Sequence, residues 1–175
     1  MKINKKLYLA YGSNLSIDQM RFRCPGARIV GTAEIKNYRL LYKGSKSGSY
    51  ATIEPAKGHK VPVLVWTITP EDEASLDRYE GFPTFYYKKD FMVEITKLRI
   101  RPGEQEVNYG KHKAMAYIMD EKRPFGFPSM SYENVIKEGY KFFGFDEEIL
   151  KDAKVYTTQQ YNSQMADWIH GRARR

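Results

Sequence analysis

The chain has 175 residues, 42% hydrophobic and 29% charged, which is the balance of one folded domain and excludes a disordered scaffold or two independent cores. One cysteine, Cys24, excludes an internal disulfide and a cysteine-rich zinc site, and points to a reducing, cytoplasmic setting. The formal charge of +8 raises nucleic acid as a partner, but Arg172, Arg174 and Arg175 crowd the last four positions, while Lys57, Lys60, Lys88, Lys89, Lys111 and Lys113 are scattered at strand edges, so nucleic acid is not the expected partner.

No apolar run approaches the roughly 18 residues of a membrane helix, and residues 1–7 lack the apolar segment of a secretory signal, so no membrane partner is expected. Leu7 and Leu9 alternate with Tyr8 and Ala10 in a strand from Lys6 to Tyr11, which ends in the turn Gly12-Ser13-Asn14. Ser16-Ile17-Asp18-Gln19 fits a capping box that opens a short helix, with Asn14 as the alternative cap, and Cys24-Pro25-Gly26 closes it. Ala27 to Val30 and Glu34 to Tyr42 predict one long bent strand or two strands, and Lys43 to Ser49 a mobile loop.

Ala51 to Glu54 predicts a short strand ended by Pro55, and Val61 to Thr69 a central strand with a nearly continuous apolar run. Thr69 caps a helix that starts at Pro70, carries acidic residues in its first turn and stops at Gly81. Phe85 to Arg101 and Lys113 to Met119 predict strands separated at Pro102-Gly103, and Ser131 to Phe143 and Asp146 to Ala153 predict helices. Beyond about Lys154 the pattern is polar and aperiodic, with Trp168 and Ile169 available to anchor the tail. The expectation is a β-rich α+β domain over residues 1–154, its sheet strongly twisted or closed, and a C-terminal extension with a basic tail over 155–175.

The familiar catalytic patterns are missing. His59, His112 and His170 lack metal-ligand spacing, there is no Gly-x-Ser-x-Gly elbow or phosphate loop, and Cys24 beside Pro25 reads as a small buried residue. Two features stand out. Tyr8-Leu9-Ala10-Tyr11-Gly12-Ser13-Asn14-Leu15 delivers a strand into a glycine turn before a helix, which aims backbone N–H groups at one spot suited to a carboxylate or oxyanion; an ordinary strand-to-helix connection has the same pattern. Leu76-Asp77-Arg78-Tyr79-Glu80-Gly81 ends the helix begun at Pro70 and places Glu80 under Leu76, on the buried side and at the negative end of the dipole. Both effects raise a carboxyl pKa toward the value a proton shuttle needs; a frayed, solvated glutamate beside a capping glycine is the other reading. The chain also has 14 Tyr, among them Tyr79, Tyr86, Tyr87, Tyr117 and Tyr132 near the sheet ends.

Together, Tyr8 to Asn14, Arg23-Cys24-Pro25, Ala51-Thr52-Ile53, Val65-Trp66, Leu76 to Gly81 with Tyr86 or Tyr87 downstream, Ala116 to Met119, Tyr132 and Gly139-Tyr140 resemble the γ-glutamylcyclotransferase (AIG2-like) family over about residues 6 to 150. The resemblance implies an α+β fold around a small, strongly twisted mixed β-barrel with flanking helices, and no cofactor or metal. It implies an enzyme that cyclises a γ-glutamyl amino acid or γ-glutamylamine to 5-oxoproline, with Glu80 as general acid/base. Tyr8, Leu9, Ala10, Tyr11, Gly12, Ser13 and Tyr132 would bind this small-molecule substrate. Removal of a γ-glutamyl protecting group from a biosynthetic intermediate is the close alternative, and a non-catalytic binding protein on the same fold is the alternative from another class. Pro62 departs from the family's usual glycine, and residues from about 155 have no clear counterpart, so pocket cover, a homodimer contact and no specific role are the alternatives for them.

Overall fold

The computed structural model describes residues 5–96, 98 and 109–172. The expected continuation of a strand to Arg101, the break at Pro102-Gly103, and the terminal Arg174 and Arg175 lie outside the described residues.

β1 (Lys6–Ala10) is the middle strand of a five-stranded mixed sheet in the order β2-β3-β1-β5-β4. It runs antiparallel to β3 (Gly48–Ile68), with Tyr8 opposite Trp66, and parallel to β5 (Gly110–Met119), with Tyr8 opposite Met115. A strand covered on both faces needs apolar or aromatic residues at every position, and Tyr8, Leu9 and Ala10 are all buried. The chain then makes a 3-10 turn (Ser13–Leu15) and α1 (Ile17–Arg23). Ser16, not Asn14, caps α1, its hydroxyl accepting from Gln19 N at 3.3 Å.

β2 (Arg28–Ser45) is one bent strand that pairs with β3 from Arg28↔Thr67 to Ser45↔Gly48. The expected loop at residues 43–49 is instead the end of this hairpin, closed by Lys46-Ser47. Glycine and serine there serve close cross-strand approach rather than flexibility: a Cβ on Gly44 would stand 1.9 Å from Gly48 O. The expected stop at Pro55 becomes an interruption of one strand, in which residues 56–59 stand opposite Asn37 alone between Lys36↔Lys60 and Tyr38↔Pro55. Asn37 has φ 60°, and its Oδ1 accepts from Gly58 N at 3.1 Å across this bulge. Proline is tolerated because β1 covers β3 only over Leu64 to Ile68, which leaves the rest of that side of β3 outside a ladder.

α2 (Pro70–Glu80) is closed at its start by a reciprocal capping box, Asp72 N to Thr69 Oγ1 at 3.2 Å and Thr69 N to Asp72 Oδ2 at 3.0 Å, and at its end by Gly81 with φ 64°. Asp72 Oδ1 also accepts from Gly26 N at 3.2 Å, which ties the end of α1 to the start of α2. β4 (Tyr86–Ile95) and β5 form a second antiparallel hairpin. α3 (Met130–Phe143) packs on the 3-10 turn, where a Cβ on Gly139 would meet Leu15 Cβ at 2.6 Å.

α4 (Glu148–Arg172) runs for 25 residues, far past the expected end at Ala153. Its first half buries Leu150, Ala153 and Thr157, and Thr157 Oγ1 accepts from Tyr42 N of β2 at 3.1 Å. The second half is half-buried at Gln160, Tyr161, Gln164 and Met165, with Phe125 N donating to Gln164 Oε1 at 3.2 Å and the Tyr161 ring 5.2 Å from that of Phe127, whereas Trp168 and Ile169 are exposed rather than anchoring. Apolar periodicity reports an apolar buried face, so a helix whose covered face is largely polar is invisible to it.

The α+β class holds, but the sheet is not closed into the expected barrel. Among the described residues the backbone pairing between its edges is limited to an isolated bridge, Thr96 N to Thr32 O at 2.8 Å and Thr32 N to Thr96 O at 3.2 Å, while side chains of β2 and β4 also touch, with the Tyr38 and Phe91 ring centroids 5.1 Å apart and Lys89 Nζ 2.8 Å from Tyr38 Oη. A barrel requires a continuous ladder at the seam. Gly31 permits this backbone approach, since a Cβ there would fall 2.1 Å from Thr96 O. Gly31→Val therefore breaks the bridge and costs about 1–3 kcal/mol, to be read from urea unfolding; a stability within about 0.5 kcal/mol of wild type would show that the seam contributes nothing.

Candidate active site

The C-terminal end of β1, the 3-10 turn, the end of α2, and the starts of β4 and α3 surround a cavity of about 380 Å³. Tyr8, Tyr11, Gly12, Ser13, Asn14, Glu80, Tyr86, Tyr117 and Tyr132 belong to its lining, and Ser47, Tyr50, Arg78, Tyr79 and Phe85 complete it on the exposed side. Glu80 supplies the one carboxyl among these residues.

Glu80 is held by the turn. Asn14 Nδ2 donates to Glu80 Oε1 at 3.1 Å and to Tyr8 Oη at 2.8 Å, and Arg23 Nη1 donates to Asn14 Oδ1 at 2.6 Å. Burial pushes the Glu80 pKa up to about 7, against the Arg23 charge and the Asn14 hydrogen bond, both of which lower it. A carboxyl in this range exchanges protons in both directions at neutral pH.

The phenols around it carry no charge at neutral pH. Burial, first of all, raises the pKa of Tyr8, Tyr11, Tyr86, Tyr117 and Tyr132, and the nearby Glu80 charge adds to each. Each is anchored: Tyr11 Oη donates to Tyr117 O at 2.5 Å, Tyr86 Oη to Ala51 O at 2.9 Å and Tyr117 Oη to Asp77 Oδ1 at 2.5 Å. Tyr132 Oη accepts from Ala51 N at 3.2 Å and lies against Gly12, where a Cβ would stand 3.1 Å from it. The site is thus a small, aromatic, largely uncharged chamber with one titratable carboxyl.

Comparison with known proteins places the chain in a family. Residues 8–139 match the family described as "Gamma-glutamyl cyclotransferase, AIG2-like". The chain belongs to this family. It is 29% identical over 170 residues to the γ-glutamylcyclotransferase of Mus musculus, covering 92% of this chain and 84% of that protein. It is 27% identical over 172 residues to that of Homo sapiens, covering 93% and 85%. Its fold resembles a solved γ-glutamyl cyclotransferase structure with a TM-score of 0.69 at 25% identity, covering 86% of this chain and 87% of that one.

Of the residues singled out from the sequence, the structure brings Tyr8, Tyr11, Gly12, Ser13, Glu80 and Tyr132 to one cavity of this family member. Leu9 and Ala10 are buried in β1 and are not among the lining residues; Leu9 points to the opposite face of the strand, and Ala10 has a one-carbon side chain. Tyr86 lines the cavity and Tyr87 does not. Cys24 is buried, its thiol pushed up to about 12 chiefly by burial, which makes it a poor nucleophile. Sequence reasoning gave Asn14 and Arg23 no role in the site, offering Asn14 only as an alternative helix cap, and it passed over Ser47, in the segment read as a loop, and Tyr50 just after it. Among the described residues no cluster of three His, Cys, Asp or Glu forms a metal-ligand group.

The Glu80 shift is also a statement about stability. Its pKa lies at about 7 in the fold against 4.5 for the free side chain, so the folded state holds the extra proton and loses stability as pH rises from about 4.5 through 7. Glu80→Gln has no such cost: its melting temperature relative to wild type should climb between pH 5 and pH 8, with an upper bound of about 3 kcal/mol. A difference flat with pH in calorimetry would mean that Glu80 titrates normally.

Proposed function

We propose that this chain is a γ-glutamylcyclotransferase that converts a γ-glutamyl amino acid or γ-glutamylamine to 5-oxoproline and the free amine. The substrate's own α-amine attacks its γ-carbonyl carbon, forming the lactam C–N bond; the bond from that carbon to the leaving nitrogen then breaks. Glu80 takes the proton shed by the attacking amine and returns it to the leaving nitrogen, so no water, nucleophile or oxidant is consumed.

The observation that carries this reading is a carboxyl of pKa about 7, the one carboxyl in a chamber lined mainly by phenols and the turn after β1, with Arg78 on its exposed side. For an intramolecular attack the enzyme's task is to fold the substrate, move one proton and stabilise an oxyanion, and each of these falls to residues already on one wall. In this reading Tyr8, Tyr11 and Tyr132 hold the glutamyl head. The N–H groups about Gly12 and Ser13, at the start of a helical turn and without partners within it, receive its carboxylate or the developing oxyanion. The reducing cytoplasm suits this chemistry and the lone buried Cys24.

The test is direct. Purified protein incubated with γ-glutamyl dipeptides and γ-glutamylamines, with 5-oxoproline followed by mass spectrometry, should show turnover that Glu80→Gln lowers by at least about 10²-fold. Ligand binding should stay close to wild type, as should the melting temperature at about pH 4, where the Glu80 carboxyl is protonated in both the folded and the unfolded chain. Wild-type turnover in the glutamine variant would remove Glu80 from the mechanism, and binding without turnover in the wild type would favour a non-catalytic binder.

A further inference from the structure

We propose that Arg23 is a positioning residue of the cyclisation: its guanidinium locks the Asn14 amide in the one orientation that anchors Glu80 Oε1 and leaves Oε2 for the proton transfer. This rests on the reading of Glu80 as proton shuttle.

An asparagine amide has two nearly isosteric ends, one accepting and one donating, and packing alone distinguishes them poorly. Arginine does distinguish them, because it can only donate. With Arg23 Nη1 2.6 Å from one end of the amide, that end must be the oxygen, and the NH₂ end is then committed to Tyr8 Oη and Glu80 Oε1. Turned the other way, the amide would set NH₂ against the guanidinium and oxygen against the carboxylate, two repulsions at hydrogen-bond range. Among the described residues Glu80 Oε1 has this one hydrogen bond and Oε2 has none, so the amide decides which oxygen is tethered.

Arg23 is itself held in place. It closes α1, whose next residues are tied to α2 by Gly26 N to Asp72 Oδ1. Its guanidinium carbon lies 3.6 Å from the centroid of the Tyr79 ring, and Tyr79 immediately precedes Glu80. The Tyr79 hydroxyl is 3.3 Å from Ser13 Oγ. The planar cation therefore spans the two segments that build the site, stacked on α2 and bonded to the turn. Lysine, a point charge on a flexible stem, could supply the charge but not both contacts.

The groups facing Glu80 are Tyr8 from β1, Tyr11 and Asn14 from the turn, Arg23 and Cys24 from the end of α1, Tyr86 from β4, Tyr117 from β5 and Tyr132 from α3. Arg23 is the cation of this set. Its charge opposes the effect of burial on the carboxyl, so removing it drives the Glu80 pKa further up and moves the acidic limb of activity to higher pH.

The experiment measures the Glu80 titration in full-length protein through its ¹³Cδ resonance, assigned by its loss in Glu80→Gln, together with the pH profile of kcat/KM. Arg23→Gln should raise the midpoint and the limb together by about one unit and lower the plateau kcat at least about tenfold, with KM changed less than about twofold. Arg23→Lys should keep the midpoint within about 0.3 unit yet lose about tenfold in kcat. Arg21→Gln, on the exposed side of α1, should change neither. A midpoint and limb unmoved in Arg23→Gln would overturn the proposal, whatever the loss of melting temperature, since a purely structural arginine predicts that result. If Arg23→Gln does not fold, Arg23→Lys decides: wild-type kcat overturns the proposal and a tenfold loss at unchanged midpoint supports it. A wild type that makes no 5-oxoproline would instead defeat the reaction assignment, while the titration still reports whether Arg23 governs Glu80.

Discussion

The hydrogen bond from Asn14 to Glu80 is the contact around which the site is organised. It joins two segments 66 positions apart, the turn after the first strand and the last residue of α2, and it ends on a carboxylate that burial makes costly to ionise. Such a carboxyl survives in a fold only if its charged form is partly compensated. Asn14 and Arg23 supply that compensation, and they stop short of cancelling the effect of burial. The resulting pKa near neutrality belongs to the arrangement rather than to any one residue.

The rest of the fold serves to hold those two segments. β1 occupies the centre of the sheet, flanked by β3 and β5, so the turn that follows it is delivered from the buried C-terminal end of the middle strand. α2 is stopped at both ends by strong local signals, the Thr69–Asp72 box and the left-handed Gly81, which decide that Glu80 falls in its last turn. A helix one residue longer or shorter would rotate the final side chain by about 100° away from Asn14. The Asp72 side chain does double duty, capping α2 and receiving Gly26 N, so the end of α1 that carries Arg23 is referenced to the start of the helix that carries Glu80.

On the exposed side, the tip of the β2–β3 hairpin brings Ser47 and Tyr50 to the cavity. It is braced by a buried ion pair between Lys43 and Glu54 and by Lys43 Nζ to Glu121 O at 2.8 Å. A lysine buried in this way needs its partners, and those partners bind the hairpin to the segment before α3. The aromatic contacts of Tyr50 with Phe85 and Tyr132 continue the same wall, at centroid distances of 6.2 and 5.3 Å. A braced hairpin, rather than a loose loop, therefore borders the exposed side of the chamber.

Local chemistry in the sequence was enough for the central strand, the cap and stop of α2, the starts of α3 and α4, and the place of Glu80 in the last turn of α2, because each depends on neighbours within about one helical turn or one pleat. The resemblance carried by Tyr8 to Asn14 and Leu76 to Gly81 likewise pointed to two segments that line one cavity. Other features required the tertiary fold. Glycines and serines at residues 43–49 look alike in a linker and in a tight hairpin, and only the cross-strand partner tells them apart. The covered face of the second half of α4 is half-buried and largely polar, and so carries no apolar period. Closure of the sheet depended on whether distant edges paired along a ladder or by the single backbone bridge of Thr32 and Thr96. The link from Arg23 through Asn14 to Glu80 had no sequence signature, since a hydrogen-bond chain across α1, a turn and α2 is written in no spacing. The sequence by itself determined which carboxyl falls in the last turn of α2; the tertiary structure decided how far it is shielded and what holds it, because both depend on which elements and donors long-range packing brings within hydrogen-bond reach.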